Sequence, residues 1–148
     1  MITKLNNKDI KIANLILNVQ LPAYKVEANL INFEGIPQLK DNAKSITDSN
    51  EIFIGYMDQN ELMGFLAYSE TEDEYQICRL VVHPNYFKQG IAKKLVGNFL
   101  NNIVKTKKVI VSTGSENYPA INLYKNFGFK FKSKIEVAPD FFITLFEI

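Results

Sequence analysis

Apolar residues recur along the chain at two periods, one fitting short strands and the other amphipathic helices. Ile2–Leu5 reads as a short strand. From about Lys8 to Gln20, the residues Ile10, Ile12, Ala13, Leu15, Ile16 and Val19 supply one helical face, with Asn6 or Asn7 as cap. Leu21-Pro22 is expected to break this helix, because proline removes a donor and restricts the residue before it. Tyr24–Asn32 then reads as a second short helix, Gly35 and Pro37 open an irregular stretch, and Lys40–Asp48 holds another helical turn or two. Three strands follow. Ile52–Met57 and Leu62–Tyr68 flank the polar turn Asp58-Gln59-Asn60, and Tyr75–Val82 comes next. Ile91, Leu95, Val96, Phe99, Leu100, Ile103 and Val104 make one helical stripe, and the helix is expected to begin near Gln89. Val109–Thr113 is a β-branched strand, Pro119 fits the first turn of a further helix, and Gly128 fits its C-terminal cap. Phe129–Val137 and Phe141–Ile148 form a last hairpin across Pro139-Asp140. The order β-α-α-β-β-β-α-β-α-β-β predicts an α/β fold with a mixed sheet, in a single domain over residues 1–148.

Composition narrows the function classes. With 47% hydrophobic and 22% charged residues in 148, the chain is ordinary globular material rather than a disordered or low-complexity segment. Net charge is +1, which argues against a polycation built to coat nucleic acid. That total hides an asymmetry. Residues 1–74 carry six basic and twelve acidic groups, whereas residues 75–115 carry seven basic groups and no carboxylate. The seven are Arg79, Lys88, Lys93, Lys94, Lys105, Lys107 and Lys108, and such a window points to an anion site. The acidic run Ser69–Glu74 beside it suits an amine-bearing partner or, more blandly, a solvated strand end. One cysteine, Cys78, excludes an intramolecular disulfide and fits a reducing compartment, and with one histidine, His83, there is no Cys/His zinc cage. No leader-like block opens the chain, and no run approaches the ~18 apolar residues of a membrane span. A cytoplasmic protein, not bound to membrane, is the expectation; monomer and homodimer stay open.

The chemistry concentrates in Leu80–Val96. A buried strand ends at His83-Pro84, a short loop follows, and the long helix begins. The first turn of a helix points about four unpaired N–H groups outward, with roughly half a positive charge behind them. Gly90 admits a ligand close to the backbone, Ala92 nearly as closely, and Lys88 and Lys93 flank the turn. Together these make a pyrophosphate cradle. It lacks the Gly-Lys-Ser/Thr of a P-loop and the three glycines of a dinucleotide fingerprint, so nucleotide hydrolysis and hydride transfer are poorly supported.

At Phe87-Lys88-Gln89-Gly90-Ile91-Ala92 the chain resembles the GCN5-related N-acetyltransferase (GNAT) family, whose signature there is Gln/Arg-x-x-Gly-x-Gly/Ala. Gly90 and Ala92 match, and Phe87 departs from the expected Gln or Arg. A second match lies at Asn117, Ala120, Leu123-Tyr124 and Gly128-Phe129. The resemblance implies a largely antiparallel sheet that splays between its fourth and fifth strands. It implies acetyl-CoA as the acyl donor, and an amine of a small molecule or protein as acceptor. It maps the pantetheine arm onto Leu80, Val81 and Val82. The pyrophosphate maps onto Lys88, Gln89, Gly90, Ile91, Ala92 and Lys93, and a further contact onto Asn117, which also fits a helix cap. Tyr124 is then the phenol that protonates the leaving thiolate. No base follows, since Gln76 and Ser112 stand where some relatives carry Glu. Strand alternation would place Glu74 on one face with Gln76, Cys78 and Leu80, leaving it able to act through water. Tyr24, Glu27 and Glu34, within Leu21–Asp48, are expected to line the acceptor site. His83 reads as a loop residue and Cys78 as an inert thiol. Two rival readings are a non-catalytic acetyl-CoA-binding module and a nucleic-acid module on the Arg79–Lys108 run.

Overall fold

A computed structural model describes residues 1–148. Seven strands form one sheet in the order β1-β2-β3-β4-β5-β7-β6. The strands are β1 (Ile2–Leu5), β2 (Ile52–Asp58), β3 (Glu61–Glu70), β4 (Glu74–Val82), β5 (Lys108–Gly114), β6 (Lys130–Ala138) and β7 (Phe141–Glu147). All neighbours are antiparallel except β4 and β5, which run parallel and pair only from Glu74↔Lys108 to Ile77↔Val111. Beyond that point the two strands part, as expected.

The helices lie on both faces. On one side, α1 (Ile10–Ile31) and α2 (Ala43–Asp48), joined through a 3₁₀ turn at Pro37–Lys40, cover a core around Ile16, Phe53, Phe65 and Val81. On the other, α3 (Ile91–Asn98) and α4 (Tyr118–Asn126) cover a core around Leu66, Leu95, Phe99 and Phe146. Each core holds 14 buried residues, so neither face is a thin veneer. α3 runs on into a π turn at Phe99–Ile103, where Val104 N–H reaches back to Phe99 O.

Two expectations about α1 fail. Pro22 does not break it. The helix is continuous through Pro22 because Ala13, Ile16 and Val19 before the proline and Tyr24, Ala28 and Ile31 after it are buried along one face. A mid-helix proline costs ~3 kcal/mol, which packing of that extent outweighs. Nor do Asn6 and Asn7 cap it. Asp9 does so, accepting from Lys11 N–H at 2.9 Å, while Asn7 is buried and donates to the carbonyls of Ile46 and Ser49. Asn32 closes the helix in the left-handed conformation, φ 53°.

The turns follow their composition. Gln59 and Asn60 both take positive φ, 50° and 66°, in the two-residue β2–β3 loop. Gly128, φ 95°, follows α4, with its N–H on Lys125 O and that of Phe129 on Tyr124 O. This pair of bonds is a Schellman closure, which fixes the last turn of α4 where Tyr124 sits.

Candidate active site

The site begins with an irregularity in β4. Pairing with β3 steps from Ala67↔Arg79 to Tyr68↔Ile77, so Cys78 is an extra, bulged residue. The bulge inverts the alternation. Tyr75 and Ile77 pack on the α3/α4 side, but Val81 is buried on the α1 side, and Leu80 and Val82 turn toward α3 and α4. Glu74 and Gln76 therefore do not share a face with Leu80. Glu74 moreover lies at the closed end of the β4–β5 pair, 3.6 Å from Lys108, so it is removed from the splay and from any role as a base there.

Past Ile77, β4 is hydrogen-bonded on one side only. Leu80, Val81 and Val82 pair with Leu66, Phe65 and Gly64 of β3, and their other edge meets no strand. Gly64 has a reason of its own to be glycine. A Cβ there would come within 2.9 Å of Val81 O and 3.0 Å of Ile91, so its absence lets the start of α3 settle onto the end of β4. Ile91 is 3% exposed and anchors that start.

Gly90 is the N-cap of α3, in the left-handed conformation at φ 77°, and no side chain caps the first turn. A Cβ on Gly90 would meet nothing within 4 Å, so the space over these amides is open. Lys88 also takes a positive φ, 62°. Lys88, Gln89, Lys93 and Lys94 are exposed, and none of the three lysines has a carboxylate partner, although Lys94 lies 5.4 Å from the centroid of the Tyr56 ring. Apart from exposed Lys105, the rest of the basic window is spent elsewhere, which corrects its reading as one anion site. Lys107 pairs with Glu70, Lys108 with Glu74 and Glu147, and Arg79 is buried. Arg79 makes a bidentate pair with Glu51 at 3.0 Å and bonds Asp41 and Gln20 at 2.9 Å. His83 accepts from Asn85 N–H through Nδ1, shaping the loop before α3. Burial pushes the Cys78 thiol up, which keeps it protonated and unreactive.

Across the gap stands α4. Asn117 is its N-cap, buried, with Oδ1 accepting from Ala120 N–H at 3.3 Å. The Tyr124 ring is 4% exposed and lies 5.4 Å from the Phe129 ring, centroid to centroid. Its hydroxyl has no protein partner, and since no fully buried side-chain oxygen is unpartnered, solvent reaches it. Burial pushes the phenol of Tyr124 well above its usual range, and the charge of Glu27 adds to this. Tyr24 of α1 is likewise raised, by burial first and the Glu27 charge next, against the Arg79 guanidinium. Glu27 itself is half-buried, and burial raises its carboxyl above the ordinary value, against the lowering influence of the nearby Asn117 amide. Glu27 is thus brought together with Tyr124 and Asn117, a grouping that sequence reasoning missed. Glu34, by contrast, is exposed in the loop after α1. In that loop Phe33 stacks on Phe141 with centroids 3.9 Å apart, joining the end of α1 to the start of β7.

The comparisons agree with this geometry. A family model described as Acetyltransferase (GNAT) family matches residues 17–129, and the chain belongs to that family. UPF0157 protein YqkA of Bacillus subtilis (strain 168) is 36% identical over 148 residues. That match takes in all of this chain and 43% of YqkA, so the chain spans less than half of that relative's length. Among solved structures, the ribosomal-protein-S18-alanine N-acetyltransferase from Escherichia coli superposes with a TM-score of 0.78 at 15% identity, covering 100% of this chain and 92% of that one. An aminoglycoside 6′-N-acetyltransferase complexed with coenzyme A gives 0.74 at 14% identity, covering 100% and 96%. At such identities these structures speak for the fold. No helix is long and apolar enough to cross a membrane.

Proposed function

We propose that the chain is an acetyl-CoA-dependent N-acetyltransferase that moves an acetyl group directly to a primary amine of a small molecule or protein. One observation carries the reading: in a GNAT-family chain, the unpaired edge of β4 leads straight to an uncapped helix N-terminus beneath an open space at Gly90. The residues fit the group. Main-chain N–H and C=O groups of Leu80, Val81 and Val82 offer an extended partner the bonds of a missing strand. The amides from Lys88 to Lys93 hold the diphosphate, the Lys88 and Lys93 side chains add charge, and the Ile91 side chain serves as anchor. When bound, the thioester supplies an acyl carbon open to an amine and a thiolate leaving group. Tyr124 donates a hydrogen bond, and then its proton, to the departing sulfur. Asn117 contributes at the same end of the gap. The acceptor enters from the α1 side, past Tyr24, Glu27 and the Phe33–Phe141 stack.

Gly90→Glu tests the cradle. A carboxylate at that cap faces a dianion, and two unit charges 4 Å apart repel by ~4 kcal/mol near a protein surface. The affinity for coenzyme A is expected to fall by ~100-fold or more in titration calorimetry. The left-handed φ should lower the melting temperature by only a few degrees. Unchanged affinity in the folded variant would remove the cradle. Thermal protection by coenzyme A with no amine ever acylated would instead favour a binding module without turnover.

A further inference from the structure

Gln20, Tyr24, Glu27 and Ile31 follow one another along α1 at spacings of four, three and four, which places them in a single stripe. Both ends of the stripe are pinned. Gln20 Oε1 accepts from Arg79 of β4 at 2.9 Å, and Ile31 lies 3.4 Å from where a Cβ on Gly114 of β5 would stand. One end therefore rests on β4 and the other on β5. Glu27 falls between them, above the stretch where those strands have separated.

Other carboxylates near the sheet are held by cations: Asp41 and Glu51 by Arg79, and Glu74 by Lys108. Glu27 enters none of the ion pairs. No side-chain hydrogen bond holds its carboxylate; the neutral Asn117 amide is near enough to lower it, and its charge is felt by the two phenols of the gap, Tyr24 and Tyr124. A half-buried carboxylate with no cation is costly to keep, and a bound amine supplies what it lacks. We propose that Glu27 is the base of the transfer, taking the proton that the acceptor nitrogen sheds, with Asn117 as its positioning residue.

The inference rests on the amine-transfer reading above and completes its proton balance. As the bond from nitrogen to the acyl carbon forms, Glu27 accepts one proton from that nitrogen. As the carbon–sulfur bond breaks with its electron pair on sulfur, Tyr124 gives its proton to the sulfur. The Glu27 proton then passes to the phenolate, and both groups are reset. The sum is amine plus thioester giving amide plus thiol. The titratable and charged groups that bear on the cluster are Tyr24 and Tyr124 directly, with Arg79 and Glu51 reaching it through Tyr24.

The test compares wild type with Glu27→Gln, which keeps size and can still accept from Asn117. Thiol release is followed with n-butylamine and with alanine amide as acceptors, beside coenzyme A calorimetry and melting. The expected result is a fall in kcat/KM of ~10²–10³-fold, with loss of the acidic limb of the pH profile and unchanged affinity for coenzyme A. Melting should occur at an equal or higher temperature at neutral pH. The sign follows from the raised carboxyl: its stabilising share is full below the unfolded carboxylate pKa and is lost as pH rises through the folded one, so the neutral amide gains at pH 7. Asn117→Ser, which still caps α4 but is too short to reach Glu27, should move the acidic limb to higher pH. Wild-type turnover matched by Glu27→Gln overturns the assignment of Glu27 alone, as does a variant that loses coenzyme A binding along with activity. A wild-type protein that binds coenzyme A and acylates neither amine overturns the transfer reading itself.

Discussion

Tyr124→Phe is expected to lower kcat by ~10²–10³-fold while leaving affinity for coenzyme A and the melting temperature where they are. The ring is buried against Phe129, and phenylalanine keeps that contact. The hydroxyl bonds to no protein group, so the fold loses little with it. On the transfer proposed above, what disappears is a donor at the sulfur. Burial first, and the Glu27 charge second, hold the phenol above its usual range, so it keeps its proton across the working pH and contributes no alkaline limb. A thiol has a reference pKa of ~8.5, below that of the phenol. On the transfer proposed above, Tyr124 therefore acts first through the hydrogen bond to sulfur as negative charge builds there, an arrangement that lowers a barrier rather than a ground state. Its proton crosses only as Glu27 returns one to the phenolic oxygen. The expected loss corresponds to ~3–4 kcal/mol of activation free energy. Thiol release under saturating acetyl-CoA measures it, and an undiminished kcat would return Tyr124 to the core alone.

Arg79→Ala is expected to lower the melting temperature by about 10 °C. The guanidinium is 9% exposed and holds Glu51, Asp41 and Gln20 from three separate segments against β4. Removing it leaves two carboxylates and an amide facing a cavity. Breaking a buried ion pair costs ~3–5 kcal/mol; since the carboxylate side chains are 16% and 21% exposed, the lower end applies. For a chain of this length each kcal/mol shifts the midpoint by roughly 2–4 °C or slightly more. Activity at low temperature should fall as well, because Gln20 pins the stripe that carries Glu27. A midpoint within 2–3 °C of wild type would mean that the network is marginal to stability.

The order of elements along the chain, the hairpins and the α3 start were legible because each is written locally. Gln59-Asn60 makes its turn, Gly128 closes α4, and an open helix start needs little more than Gly90 and what precedes it. What escaped was set by contacts distant in sequence. Pro22 reads as a stop until the buried face on both sides of it is known. With the helix cut there, Tyr24, Glu27 and Ile31 lose their register with Gln20, and Glu27 reads as one acceptor-site residue among several rather than as a neighbour of Tyr124. Nothing in the residues around Cys78 announces a bulge, so alternation along β4 misassigned the faces of Glu74 and Leu80. Arg79 resembled its basic neighbours because Glu51 and Asp41 lie 28 and 38 residues away. The stripe that holds Glu27 was findable from the spacing of Gln20, Tyr24, Glu27 and Ile31, had the helix been drawn unbroken.

The sheet keeps its two interiors separate. The start of α3 and the helix α4 are braced by Leu95, Phe99 and Phe146, whereas α1 is braced by Ile16, Phe53 and Phe65. Substitutions that reshape one wall are absorbed by their own half, with the β-layer between them as a partition. Changes in residues 20–50 are therefore expected to reshape the α1 wall while leaving the packing beneath the Gly90 helix start as it is.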